Sequence, residues 1–144
     1  MAINLQVVID CADPDRLAEF WAGALGYKLQ DPPSGFDSWP AFLTSVGMPE
    51  SEWNSASAVV DPDGVGPRIY LQQVPEPKAS KNRLHLDLNV GGGHGVPIDQ
   101  RKVKLAEGVE RLRTLGASLV EEREQLGEFW IVMQDPEGNE FCLQ

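Results

Sequence analysis

The sequence predicts an α+β fold in which one βαβββ unit is written twice, and three recurring landmarks predict it. The alternating stretches "LQVVID" (Leu5 to Asp10) and "LHLDLN" (Leu84 to Asn89) read as half-buried strands and align Gln6 with His85 at an offset of 79. "ALGYKL" from Ala24 and "TLGASL" from Thr114 each read as a helix end, a glycine suited to left-handed backbone and a new strand, at an offset of 90. "DPDG" at Asp61 and "DPEG" at Asp135 are turns entering strands, at an offset of 74, because proline presets one turn dihedral and glycine supplies the positive one. The common order of these landmarks divides a single 1–144 domain into modules of about 1–77 and 78–144.

Taken in order, the first strand spans 4–10. A helix follows: Asp13 can cap its first free amides, Pro14 takes the tolerated first position, and Leu17, Phe20, Trp21, Ala24 and Leu25 share one face before Gly26. Further strands are expected at 27–30, 41–45, 56–60 and 68–74. The second module begins with a strand at 83–90. Its helix runs from about Lys102 to Leu115, with Leu105, Val109, Leu112 and Leu115 on one stripe, Gly116 as the stop and Gly108 as a weakening interior glycine. Strands at 118–123, 128–134 and 139–144 complete it. The unequal offsets put 11 extra residues (90 less 79) ahead of the second helix and 16 (90 less 74) after the first. They map to "GGGHGVPIDQR", Gly91 to Arg101, and to Asp31–Ser55, both long enough to suggest loops with a task. "GGGHG" lacks the strand-to-helix context of a phosphate loop, so it reads as a flexible connector with a solvated His94.

Composition sets the outer limits. With 42% hydrophobic and 24% charged residues, 144 residues suffice for one real core. Twelve Lys and Arg against 22 Asp and Glu give a net charge of −10, which repels nucleic acid and anionic membranes and favours neutral or cationic ligands. The start "MAINLQVVID" is no secretory leader, and no apolar run approaches the roughly 20 residues of a membrane span, so a soluble cytoplasmic protein is expected. Cys11 and Cys142 have no metal-binding spacing and read as reduced thiols.

"VIDCADPDRLAEFWAGALGYKL", "KNRLHLDLNV" and "DPEGNEFCLQ" together resemble the vicinal oxygen chelate superfamily, specifically its glyoxalase-like domain proteins, across essentially the whole chain. The resemblance implies paired βαβββ modules forming an open barrel with a central cup for a small molecule, commonly as a homodimer. It leaves activity open, because the fold hosts glyoxalase I, dioxygenases, epimerases, fosfomycin thiol transferases and bleomycin-binding proteins. In metal-using members each module supplies a ligand from its first strand and one from its last. The positions implied here are Gln6 and Tyr70, then His85 and Cys142. None of the four is a carboxylate, which disfavours a divalent metal, and no cofactor is expected; were an ion held, Gln6, His85 and Cys142 would be its ligands.

Each candidate residue also has a plainer role. His85 suits a hydrogen-bonded core histidine oriented by Asp87, and only after that an acid–base group or a ligand. Cys142 suits a small buried hydrophobe more than a nucleophile, and Gln6 can simply satisfy backbone. Trp39 and Trp53 would anchor their loop as a satellite core or wall a ligand site; Trp130 would line the cup beside Val132.

Two functions fit these residues. One is a glyoxalase-like lyase or isomerase that moves a proton on a small oxygenated metabolite with His85, oriented by Asp87 and helped by Tyr70. The other is a metal-free sequestering protein that holds a cationic aromatic drug with its tryptophans and acidic surface.

Overall fold

A computed structural model describes residues 1–144. The chain is mixed α+β with two four-stranded sheets, and its contacts cluster into two units, Met1–Pro77 and Lys78–Gln144.

The first unit runs β1 (Val7–Cys11), α1 (Pro14–Leu25), β2 (Lys28–Leu29), α2 (Trp39–Ser45), a 3-10 turn (Glu50–Ser55), β3 (Ala56–Val60) and β4 (Ile69–Gln73). Its sheet order is β1-β4-β3-β2, with β1 parallel to β4 and the other pairs antiparallel. Asp13 starts α1 by accepting the Arg16 N–H at 3.3 Å and an Asn54 amide proton at 2.9 Å. Gly26, at φ 70°, ends it. Leu17, Phe20, Trp21 and Ala24 bury their side chains, as do Val59, Ile69 and Leu71 of the sheet on which α1 packs. The strand expected at 41–45 is instead part of α2. Ser38 Oγ accepts the Ala41 N–H at 3.2 Å and Pro40 sits in the first turn, a start signal that outweighs the short apolar run "AFL".

The second unit runs β5 (Asp87–Leu88), α3 (Ile98–Thr114), β6 (Ser118–Gln125), β7 (Glu128–Gln134) and β8 (Glu140–Leu143), in the order β5-β8-β7-β6. The strand expected over 83–90 shrinks to two residues, which pair with Cys142 and Leu143 of β8, while Leu84 is left exposed. Helix α3 starts earlier than expected, since Pro97 presets its entry and Asp99 suits the positive end of the helix. Gly108 is explained by packing: a Cβ there would sit 3.3 Å from Leu143 Cδ1, so its absence lets α3 lie close on β8.

The strand ladders reproduce the repeat residue by residue. Val8 pairs with Tyr70 as Asp87 pairs with Cys142, and Lys28 pairs with Val60 as Ser118 pairs with Gln134. The offsets are therefore 79 (8 to 87), 90 (28 to 118) and 74 (60 to 134), and 72 (70 to 142) once Val65 and Gly66 are passed. In each unit the helix covers one sheet face. By register the other face carries Ala58 and Tyr70 in the first unit, and Asp87, Val132, Cys142 and Trp130 in the second.

Candidate functional site

The sheet face of the first unit that α1 leaves uncovered is roofed by the 31–55 segment, and the two enclose a cavity of about 410 Å³. Trp39 and Trp53 line it, and both are fixed. The Trp39 indole donates to Gln30 O at 2.7 Å and the Trp53 indole to Met48 O at 3.0 Å. Phe42 lies edge-on to Phe36 at 5.2 Å and to Trp39 at 5.9 Å, so the aromatics anchor the segment and wall the cavity at once. Tyr70, Ala56 and Ala58 form the floor.

Arg68 also lines this cavity, and sequence reasoning passed over it. Its Nε donates to Gln30 Oε1 at 2.6 Å, its Nη1 donates to Gln6 Oε1 at 2.6 Å, and the guanidinium lies 5.2 Å from the Tyr70 ring centre. A signal was available: Arg68 stands two residues before Tyr70, hence on the same side of an extended chain, just after the Asp61 turn. Gln6 precedes β1 and reaches the cavity only through Arg68. Asp15 is the one acid in the lining; burial, then the charges of Asp13 and Glu19, raise its carboxyl above the ordinary range.

In the second unit His85, Asp87 and Cys142 come together, with one donor atom from each inside a 4.8 Å span. His85 Nδ1 is 3.0 Å from Asp87 Oδ1 and 3.9 Å from Cys142 Sγ. Burial, and then the Asp87 carboxylate, push the Cys142 thiol up to about 11. Trp130 is half-buried in β7, on the same sheet face as Cys142 by register. His94 is exposed, 3.2 Å from Glu128.

Of the four positions equated with metal ligands, Gln6 and Tyr70 do not fit a divalent ion, whereas His85 and Cys142 stand with Asp87 as three groups that can each offer one ligand atom. Gln6 Oε1 is spent on a guanidinium, the same cation lies against Tyr70, and a fixed positive charge repels a second one. The sequence reading had found no carboxylate at the ligand positions, whereas the structure brings Asp87 to His85 and Cys142.

The sequence matches the model of the glyoxalase-like domain over residues 6–144. No curated protein sequence matches it. Among solved structures, one similar chain is a glyoxalase/bleomycin resistance protein/dioxygenase family enzyme from Burkholderia phytofirmans, at 15% identity and TM-score 0.59, covering 96% of this chain and 94% of that one. Another is the fosfomycin resistance protein FosX from Listeria monocytogenes, solved with Mn(II) and dihydroxypropylphosphonic acid. It gives 12% identity and TM-score 0.62 over 100% of this chain and 90% of that one. A third, described as a possible glyoxalase from Bacillus cereus, gives 13% identity and TM-score 0.60 over 100% and 99%. At these identities the likeness is one of fold.

Proposed function

The chain belongs to the glyoxalase-like domain family, and from that premise we propose that it binds a small planar molecule in the cavity of its first unit, between Trp39, Trp53 and Tyr70. One observation carries this reading: a cavity of about 410 Å³ with two tryptophans held in place by their indole N–H groups. That volume lies in the range of roughly 300–1,000 Å³ in which small ligands are held. Rigid aromatic walls lose little freedom when a ligand enters, so most of the apolar contact becomes affinity. The reading is the binding-protein alternative, and it needs no metal. Titration of the protein with a panel of naphthalene derivatives, followed by intrinsic fluorescence, tests it. Trp39→Phe or Trp53→Phe should abolish most of the ligand-induced change; an unchanged signal in both variants removes the reading.

The His85–Asp87 pair at 3.0 Å favours a second reading, a lyase or isomerase in which His85 moves a proton while Asp87 holds its ring. Turnover of 2-oxoaldehydes, epoxides or catechols that His85→Asn abolishes would support it. The homodimer common in the family extends to this chain as part of the same proposal, to be checked by light scattering.

A further inference from the structure

We infer that Arg68 gives the first-unit cavity a fixed positive charge, and that the cavity therefore selects a planar aromatic oxyanion, a carboxylate or phosphonate, over a cation. The inference rests on the cavity reading above and adds the charge class of the ligand.

Three features of Arg68 carry it. First, its charge is not neutralised by a neighbour. Lys28, Lys78, Arg101, Lys102, Arg113 and Arg123 all pair with carboxylates within 4.0 Å, whereas Arg68 meets two neutral amide oxygens and an aromatic face. Second, it is already oriented. Gln6 and Gln30 hold the guanidinium from two sides, and its own backbone carbonyl accepts the Val7 N–H at 3.0 Å, so little side-chain freedom remains to be lost on binding. Third, it has donors to spare: of the five guanidinium N–H groups two are engaged, which leaves Nη2 and one Nη1 proton for an oxyanion. The tryptophans provide the apolar walls beside this charge.

The chain's overall charge of −10 argues the opposite way, toward cationic ligands, but that field acts at long range and is screened by salt over about 8 Å at physiological ionic strength. Inside the cavity the local charge decides. Asp15 is the rival, and it forms no ion pair with Arg68 within 4.0 Å; the surroundings that raise its carboxyl disfavour its charged form, whereas the guanidinium stays charged. A cationic ligand would have to choose Asp15 and tolerate the guanidinium.

The test uses four probes of one shape on the intact chain: naphthoate, naphthylphosphonate, naphthylmethanol and naphthylmethylammonium, measured by calorimetry and tryptophan fluorescence near neutral pH. Both acids should bind about tenfold or more tightly than the alcohol, the order expected of charge-assisted hydrogen bonds, with the ammonium weakest. The stronger acid identifies the preferred oxyanion. Arg68→Gln should cost the acids about tenfold and leave the alcohol nearly unchanged, while Arg68→Lys, which keeps the charge, should retain part of the preference. Added Mn²⁺ or Zn²⁺ should not improve acid binding. An ammonium or alcohol that binds as well as the acids, an acid affinity that Arg68→Gln leaves intact, or acid binding that requires the metal would overturn the inference while the cavity reading stood. If none of the four binds, both fall.

Discussion

The Sγ of Cys142 lies 3.9 Å from the Nδ1 of His85, yet the thiol beside this imidazole is held protonated. In a cysteine–histidine nucleophile the pair exists to form thiolate; here burial and Asp87 push the other way. Iodoacetamide should label Cys142 about ten- to a hundredfold more slowly than a free cysteine in mildly alkaline buffer. Asp87→Asn should speed the reaction. Peptide mass spectrometry distinguishes Cys142 from Cys11, and fast labelling of Cys142 in the parent would contradict the burial argument.

Gly66 faces the hydroxyl of Tyr27: a Cβ at this glycine would lie 1.9 Å from Tyr27 Oη and 3.0 Å from Cζ. Gly66→Ala must displace the ring and should cost about 1–3 kcal/mol, the usual range for overpacking. Tyr27→Phe removes the nearest atom, so the double variant should be more stable than the sum of the single losses predicts. Denaturant unfolding of the four proteins measures this coupling, and strict additivity would show that Tyr27 is not the obstacle.

The two Asp-Pro turns look alike in sequence but differ in burial. Asp135 is 3% exposed and its carboxylate accepts N–H groups of Glu137 and Asn139 at 2.9 and 3.0 Å, plus the Asn139 amide. Asp135→Ala should cost about 2–4 kcal/mol, because it removes the buried acceptor that satisfies several part-buried N–H groups of the turn at once. Asp61 accepts N–H groups of Asp63, Val65 and Gly66, but water can replace its carboxylate, so Asp61→Ala should cost less. Urea midpoints that fall equally would refute the burial distinction.

Glu140 ties the segment before β5 to β8. The Asn82 backbone N–H and then Lys78 lower its carboxyl from 4.5 to about 2 against the opposing effect of burial. Because the folded value is the lower one, Glu140 contributes stability above pH 4.5 that is lost as pH falls through about 2. Glu140→Gln should melt lower than the parent near neutrality and lose less on acidification across that window. Parallel melting curves for parent and variant would rule out this linkage.

Most of the fold was legible because it rests on local signals. Asp13, Pro14 and Gly26 mark α1 by backbone chemistry alone, and the two Asp-Pro turns fix the strands that follow them. The two misses are of different kinds. Ser38 and Pro40, a local start signal, turned an apolar run into α2, whereas β5 pairs with β8 over only two residues, which depends on a partner more than 50 residues away. The candidate site was legible by residue type but not by partnership. Tyr70 was singled out by its place in the repeat, while Arg68 drew no notice, since its meaning comes from Gln6 and Gln30, 62 and 38 residues away.

The matching registers of the two sheets carry a consequence for how such a protein changes over time. The second unit builds the same strand order without any counterpart of α2 and the 3-10 turn, so the ladders do not depend on that segment. Residues 31–55 are therefore a cassette whose rewriting alters the roof of the cavity and leaves the β-ladders intact. Drift in ligand preference can accumulate there so long as Asn54, which accepts the Asp15 N–H and donates to Asp13 at the start of α1, is kept, and grafting alternative segments between Gln30 and Asn54 is the natural way to retrain this scaffold.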